Sequence, residues 1–287
     1  MRLASLATAA GHRAAVLADD HYVDLYATDM ALPGTVRALL VAGPDALRAA
    51  AAAARSPAAV RIPAANAVLL PPVPDPPKIL CIGLNYRDHA RENNRAIPTE
   101  PVLFAKYANT LIGHGMPVRL PAVAKKVDYE AELVVVLGKR GRDVAEVDAM
   151  GYVAGYTVGH DVSARDWQFK GEEKQWTIGK TFDTFAPTGP HLVTADEVPD
   201  PHNLPVKLRL NGETMQDSNT REFIFTVPQL IAYLSQVLTL EPGDLIFTGT
   251  PPGVGVARKP PVFLKAGDNV EVEIDGIGLL RNPVEAM

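Results

Sequence analysis

A single cysteine, Cys81, among 287 residues excludes an internal disulfide. It lies in the apolar run Ile79 to Leu84, where a packed strand thiol is the expected state. That suits a reducing compartment, and the cytoplasm is the expected location. No apolar stretch reaches the roughly 18 residues needed to span a bilayer. The N-terminus lacks both an apolar signal core and a cleavage pattern; Leu3 to Thr8, Ala10 to Arg13 and Ala14 to Leu17 read as strand, turn and strand. Arg2, Arg13 and the late first acid admit an organellar-transit reading, against which stands the cost of excising a strand pair. Positive charge is also scarce: 28 Lys and Arg face 33 Asp and Glu, a net charge of −5. Beyond short runs such as Lys139 to Arg142 there is no basic cluster, so neither nucleic acid nor an anionic membrane is an expected partner. Fixed-period repeats and low-complexity tracts are absent as well.

What is present is an ordinary globular composition, 47% hydrophobic, in a chain long enough for one large domain or a large and a small one. Residues 1–70 look like a small N-terminal α+β unit: a hairpin, a third strand at His21 to Leu25, and helices over Thr35 to Val41 and Asp45 to Arg55. Its Ala49 to Ala54 run favours helix but contributes little core. Pro71, Pro72, Pro74, Pro76 and Pro77 then make residues 71–77 a stiff extended linker. Residues 78–287 are dominated by short strands separated by Gly and Pro, among them Val206 to Leu210 with its Asn211-Gly212 turn, Asp244 to Thr248 and Val270 to Ile274. One helix is clear: Thr226 and Gln229 form a capping box ahead of the buried stripe Leu230, Ile231, Leu234, Val237 and Leu238. The expected fold is mostly β, in the α+β class, with peripheral helices.

Read as one strand, Asp128 to Gly138 places Glu130 and Glu132 on the same face. A second apolar stretch, Gly151 to Gly159, ends in His160 and Asp161 and delivers a third carboxylate. Three gathered carboxylates repel unless a cation sits among them, and hard oxygen ligands suit Mg²⁺, Mn²⁺ or Ca²⁺. The alternative is that the two glutamates line a solvated strand face. His89 and Glu92, at i and i+3, share a face if Arg87 to Asn94 is helical, so the carboxylate can orient the imidazole as a general base; a solvated helix face is the other reading. Lys106 and Lys180 lie among apolar and aromatic neighbours. They are either structural stems with exposed heads or ammonium groups aimed at a bound anion. Arg165 and Gln168 follow Asp161 by four and seven residues, so a short helix starting after Asp161 would put all three on one side, a carboxylate clamp beside the metal. Asp166 would face elsewhere. Thr248 to Gly253 reads as a tight turn.

Five stretches in order, Lys78 to Glu92, Asp128 to Gly138, His160 to Gln168, Gly179 to Phe185 and Thr248 to Gly255, resemble the fumarylacetoacetate hydrolase family. The likeness runs from Lys78 to the C-terminus and is greatest for the fumarylacetoacetate hydrolase domain-containing protein 2-like branch, with its Asp-Val-Ser-Ala-Arg-Asp-Trp-Gln and Gly-Thr-Pro-Pro-Gly-Val-Gly runs. The resemblance implies a mixed β-sandwich roll and a metal, Mg²⁺ or else Mn²⁺ or Ca²⁺, held by Glu130, Glu132 and Asp161. It implies a lid carrying the His89–Glu92 dyad, Lys180 set against enolate charge, and substrate contacts from Lys106, Arg165, Gln168 and Thr250. His114 stands where relatives often carry Pro, which puts that loop's part in substrate choice in doubt. The expected activity is hydrolysis of a C–C bond in a short β-diketo acid of the acylpyruvate type. Oxaloacetate keto–enol tautomerisation comes second and decarboxylation third, and a non-catalytic metal-dependent binding protein is the reading from another class. A small keto or diketo acid and a second copy, in a homodimer, are the expected partners.

Overall fold

The computed structural model describes residues 1–172 and 175–287. The strand Ala131–Leu137 explains the architecture, because all seven of its residues are buried. Side chains alternate along a strand, so total burial means that both faces are covered. Leu133, Val135 and Leu137 join one core with Val206, Leu208, Val270 and Val272. Val134 and Val136 join another with Phe247, Cys81, Leu3 and the helix residues Val36, Leu39 and Leu40. Apart from Glu132, its residues form the continuous apolar run that such a central strand requires.

The main sheet runs in the order Arg61–Pro63, His21–Asp24, Gly11–Ala18, Arg2–Thr8, Ala186–Thr194, Val153–His160, Ala131–Leu137, Leu245–Phe247, Ile79–Gly83 and Val102–Lys106. A second sheet, ordered Glu213–Asn219, Pro205–Leu210, Asn269–Ile274, Gly278–Ala286 and Val118–Leu120, covers one of its faces. Helices Val36–Ala42 and Pro44–Ala54 cover part of the other. The two packed sheets make the mixed β-sandwich roll that the resemblance implies, with the helix Val227–Val237 at its side behind the expected capping box. Among the described residues no helix is long and apolar enough to cross a membrane.

Two local readings change. The N-terminal strands are not set apart from the rest, since Arg2 and Leu3 pair antiparallel with Val193 and Leu192 and so extend the central sheet. Nor is Asp128 to Gly138 one strand. Val127–Asp128 pairs with Ser163–Ala164, Ala131–Leu137 pairs with Val153–His160, and the chain changes partners at Tyr129 and Glu130. The cause is Asp128, whose buried carboxylate accepts the Tyr129 N–H at 2.8 Å and the Gly255 N–H at 2.7 Å, turning the backbone out of line.

Candidate metal centre and lid

Pairing of Ala131 with His160 brings the start of one buried strand beside the end of another. Glu130 and Glu132 flank the first position and Asp161 follows the second, with the Asp161 N–H donating to the Glu130 carbonyl at 2.9 Å. One carboxylate oxygen from each of these three acids lies within 4.8 Å of the others, and all three residues are buried. The helix expected directly after Asp161 begins only at Arg165, because Ser163 and Ala164 are held in a strand pair. Arg165 and Gln168 nonetheless reach the same cavity as the acids.

Arg165 is already paired. Its Nε donates to Asp128 at 2.8 Å, one terminal nitrogen to Glu130 at 2.6 Å and the other to Gln168 Oε1 at 2.8 Å. It is a strut under the site more than a free clamp. Lys180 bridges Glu130 and Asp161 at 2.7 and 2.6 Å. Lys106 is sealed beneath the cavity, bonding Asp161 Oδ1 and, at 3.1 Å, the Val162 carbonyl. Expected as a substrate contact, it does not reach the cavity, because Asp161 lies over its ammonium.

Four buried acids, Asp128, Glu130, Glu132 and Asp161, thus face three buried cations. Burial alone would raise the Glu130 carboxyl, but Lys180 and Arg165 overcome it and hold the group far below the usual carboxylate range. Lys180 remains protonated: burial works against its charge, while Asp161 and Glu130 prevail and move it upward. Burial lowers Lys106 in spite of Asp161. Among the described residues Glu132 is the one of these four acids with no salt bridge. Burial, then Asp161 and Glu130, push its carboxyl well up, against the opposing charge of Lys180 and the Gly249 N–H donated at 2.8 Å. An all-oxygen set with one surplus negative charge fits a divalent cation of the hard type. His160, at the base of the cluster, is buried with both ring nitrogens unpartnered among the described residues and is pushed down to about 3 by burial and then by Lys106, so it stays neutral.

The turn after Leu245–Phe247 contributes more than one side chain. Gly249, Gly253 and Gly255 donate backbone N–H groups to Glu132, Glu92 and Asp128, at 2.8, 2.9 and 2.7 Å. Gly249 and Gly253 have φ of 100° and 101°, which disfavours any residue with a Cβ. Two residues that anchor this turn carried no signal in the sequence. Asn85 donates to the Thr248 and Phe225 carbonyls, at 2.8 and 3.1 Å, and accepts the Phe225 N–H at 2.8 Å. Gln216 accepts the Ala131 N–H at 2.8 Å and donates to Thr250 Oγ1 at 2.9 Å and the Pro251 carbonyl at 2.8 Å, tying the turn to the metal-centre strand.

Across the cavity stands the helix Arg87–Glu92. His89 Nδ1 lies 2.9 Å from Glu92 Oε2, while Glu92 Oε1 takes the Gly253 N–H. Burial tends to raise the Glu92 carboxyl, but His89 and that N–H bring it below its ordinary value, so it is ionised and can only accept. Nδ1 is therefore the donor, and Nε2 carries the lone pair, toward which the Asn93 side-chain amide is placed to donate at 3.2 Å. Asp88 ties the helix to Ser218 at 2.5 Å and Arg91 ties it to Glu222 at 3.1 Å. The cavity, open on one side, has a volume of about 100 Å³; His89, Glu132, Lys180 and Thr250 line it with the aromatic walls Phe104 and Trp176. The Trp176 ring lies where a Cβ on Gly83 would sit, 2.2 Å away, so only glycine permits that wall.

The fumarylacetoacetate hydrolase C-terminal family model matches residues 78–285. The mitochondrial oxaloacetate tautomerase fahd2 of Xenopus laevis is 52% identical over 262 residues, covering 91% of this chain and 82% of the relative. Among solved structures, fumarylacetoacetate hydrolase from Exiguobacterium antarcticum aligns with a TM-score of 0.87 at 34% identity, covering 100% of each chain. Maleylpyruvate hydrolase from Sphingobium sp. SYK-6, in complex with manganese(II) and pyruvate, aligns with a TM-score of 0.83 at 35% identity, covering 100% of this chain and 99% of that one. The cytoplasmic expectation is overturned by the curated relatives, since those of frog, cattle and human all carry mitochondrial names. Arg2 and Arg13, which had admitted an organellar reading, lie in the paired strands Arg2–Thr8 and Gly11–Ala18.

Proposed function

The chain belongs to the fumarylacetoacetate hydrolase family of enzymes, and from that premise we propose that it is a divalent-metal-dependent oxaloacetate keto–enol tautomerase. The observation that carries the reading is the pairing of one oriented imidazole with an acidic triad across a compact cavity. Tautomerisation needs only a base, a polarised carbonyl and space for a short acid. Hydrolysis, which the sequence had put first, needs in addition a water held beside a longer diketo acid. The names of the curated relatives point the same way.

A cation held by Glu130, Glu132 and Asp161, Mg²⁺ or Mn²⁺, would act as a Lewis acid toward the 2-keto and adjacent carboxylate oxygens. His89, with Nδ1 committed to Glu92, offers Nε2 to carry a proton between C3 and the oxygen on C2. Glu92 fixes the tautomer and stabilises the imidazolium that forms. Lys180 is held charged by two acids, so its part is to stabilise negative oxygen while His89 moves the proton. Phe104 and Trp176 keep water from the developing enolate. Thr250, its oxygen accepting from Gln216, still has a hydroxyl proton to donate to a bound acid.

Hydrolysis remains the second reading, favoured by the likeness to the maleylpyruvate hydrolase structure. The two are separated by following the enol absorbance of oxaloacetate with Mg²⁺ while assaying pyruvate, and by giving the enzyme acylpyruvates in parallel. The proposal expects the enol to relax to its equilibrium with the keto form much faster than with metal alone, and without pyruvate release. Acylpyruvate cleavage with no acceleration of enol decay would overturn it. The proposal includes a homodimer, supported by the exposed apolar side chains Val147, Met150 and Val237 around the Val227–Val237 helix. Light scattering of the active enzyme at micromolar concentration should return twice the chain mass, and a fully active monomer would contradict it.

A further inference from the structure

The lid helix ends in a Schellman motif. Asn94 takes a left-handed φ of 50°, its N–H reaches the Arg91 carbonyl at 3.1 Å, and the Arg95 N–H reaches the Ala90 carbonyl at 2.9 Å. Two backbone hydrogen bonds therefore set where Arg95 leaves the helix, although its side chain is exposed. That position is on the cavity lining, beside His89 and Asn93. Among the described residues three cationic side chains line the cavity, and two of them are committed: Arg165 to Asp128 and Glu130, Lys180 to Glu130 and Asp161. Arg95 enters no ion pair among the described residues.

The buried triad and the exposed guanidinium mark the two ends of the site. A 2-oxo acid whose carboxylate and keto oxygens meet the triad directs its C4 end toward the mouth. An acylpyruvate presents a ketone or an alkyl chain there, whereas a four-carbon 2-oxo diacid presents a second carboxylate. A planar guanidinium with open donors matches a carboxylate in charge and in geometry. We propose that Arg95 is a specificity-determining residue that receives the distal carboxylate, so that the site selects short dicarboxylic 2-oxo acids over monocarboxylic ones. This rests on the tautomerase reading and supplies its substrate class. The aromatic walls confine the chain between the two charged ends, so recognition falls on the ends.

The test compares oxaloacetate with its C4 monoester, which keeps the chelating end and lacks the distal charge, in wild type, Arg95→Met and Arg95→Lys, with Mg²⁺ present. Arg95→Met should raise KM for oxaloacetate by about tenfold or more, with a much smaller change in kcat, and should shift KM for the monoester by less than about twofold. Arg95→Lys should retain part of the diacid preference. Oxalate, which occupies only the chelating end, should inhibit all three proteins alike, which guards against a collapsed lid. Equal KM changes for diacid and monoester, or no change for either, would overturn the inference. Should the wild type fail to tautomerise oxaloacetate, the functional reading falls. The inference is then decided by calorimetric titration of the same two ligands: preference for the diacid in wild type and its loss in Arg95→Met supports it, and equal affinities in wild type refute it.

Discussion

Glu132 and Glu92 each accept a glycine N–H from the same turn, one from Gly249 and the other from Gly253, yet they stand in opposite surroundings. Glu132 is 2% exposed on a strand covered on both faces, with two more acids close by and its carboxyl pushed well up by burial and by their charge. Glu92 ends a six-residue helix at the surface, beside a histidine, with its carboxyl held below the ordinary value. The first environment is costly without a cation and rigid enough to hold one. The second is inexpensive, oriented and easily moved. On the proposed function, metal binding falls to a strand buried on both faces and proton transfer to a short surface helix, joined by one turn. Binding belongs where packing prevents relaxation, and proton transfer where a side chain meets substrate at the cavity wall.

The comparison is tested most severely at the acids. Glu130→Gln combined with Glu132→Gln should lower activity by more than about a thousandfold, as should exhaustive chelation, since the keto oxygen then lacks its electrophile. Glu132→Gln alone should separate stability from function: the metal-free protein should melt higher than wild type, because the surplus buried charge is gone, yet gain less from added Mg²⁺. A lower metal-free melting temperature would show that Glu132 is already compensated. Next in size is Gly253→Ala. The new Cβ would lie 2.1 Å from the Met215 carbonyl at a φ of 101°, so a loss of roughly 2–4 kcal/mol in denaturant unfolding is expected. Because Gly253 also holds Glu92, activity should fall further than Mg²⁺ affinity; an equal fall in both would merge the two regions into one.

The smallest effect is a pH slope. His160 ionises at about 3 in the folded protein, below its ordinary value near 6.5, so the unfolded chain binds its proton first as pH falls. The stability contributed by keeping it neutral is complete above about pH 6.5 and is lost progressively toward pH 3. Denaturant unfolding across that window should show a steeper slope for wild type than for His160→Leu in otherwise matched conditions. Identical slopes would mean that the ring is not buried uncharged.

The sequence made the acids legible because Glu132 and Asp161 interrupt or end apolar runs that otherwise fit central strands, and family likeness supplied the lid. The break at Tyr129 and Glu130 was not legible, since it depends on Asp128 meeting Gly255, more than a hundred residues away. Lys106 was misleading for a physical reason. A lysine among apolar neighbours usually extends to water, and nothing local revealed that Asp161 would cover its ammonium. Gln216 sits in the polar run Glu213–Asn219, which reads as an ordinary edge strand, so its support of Thr250 was invisible. The N-terminal hairpin was readable from its turn, but its pairing with Ala186–Thr194 is a long-range choice that no local pattern encodes.

The most direct test of two separable regions is to measure Mn²⁺ affinity and the rate of enol relaxation on the same preparation of His89→Ala. The imidazole belongs to the lid and its hydrogen bonds run to Glu92 and Asn93 rather than to Glu130, Glu132 or Asp161, so affinity should stay within about twofold of wild type while the rate falls by about two to four powers of ten, the usual contribution of a positioned base. A wild-type rate, or a loss of Mn²⁺ affinity in step with the rate, would contradict the account.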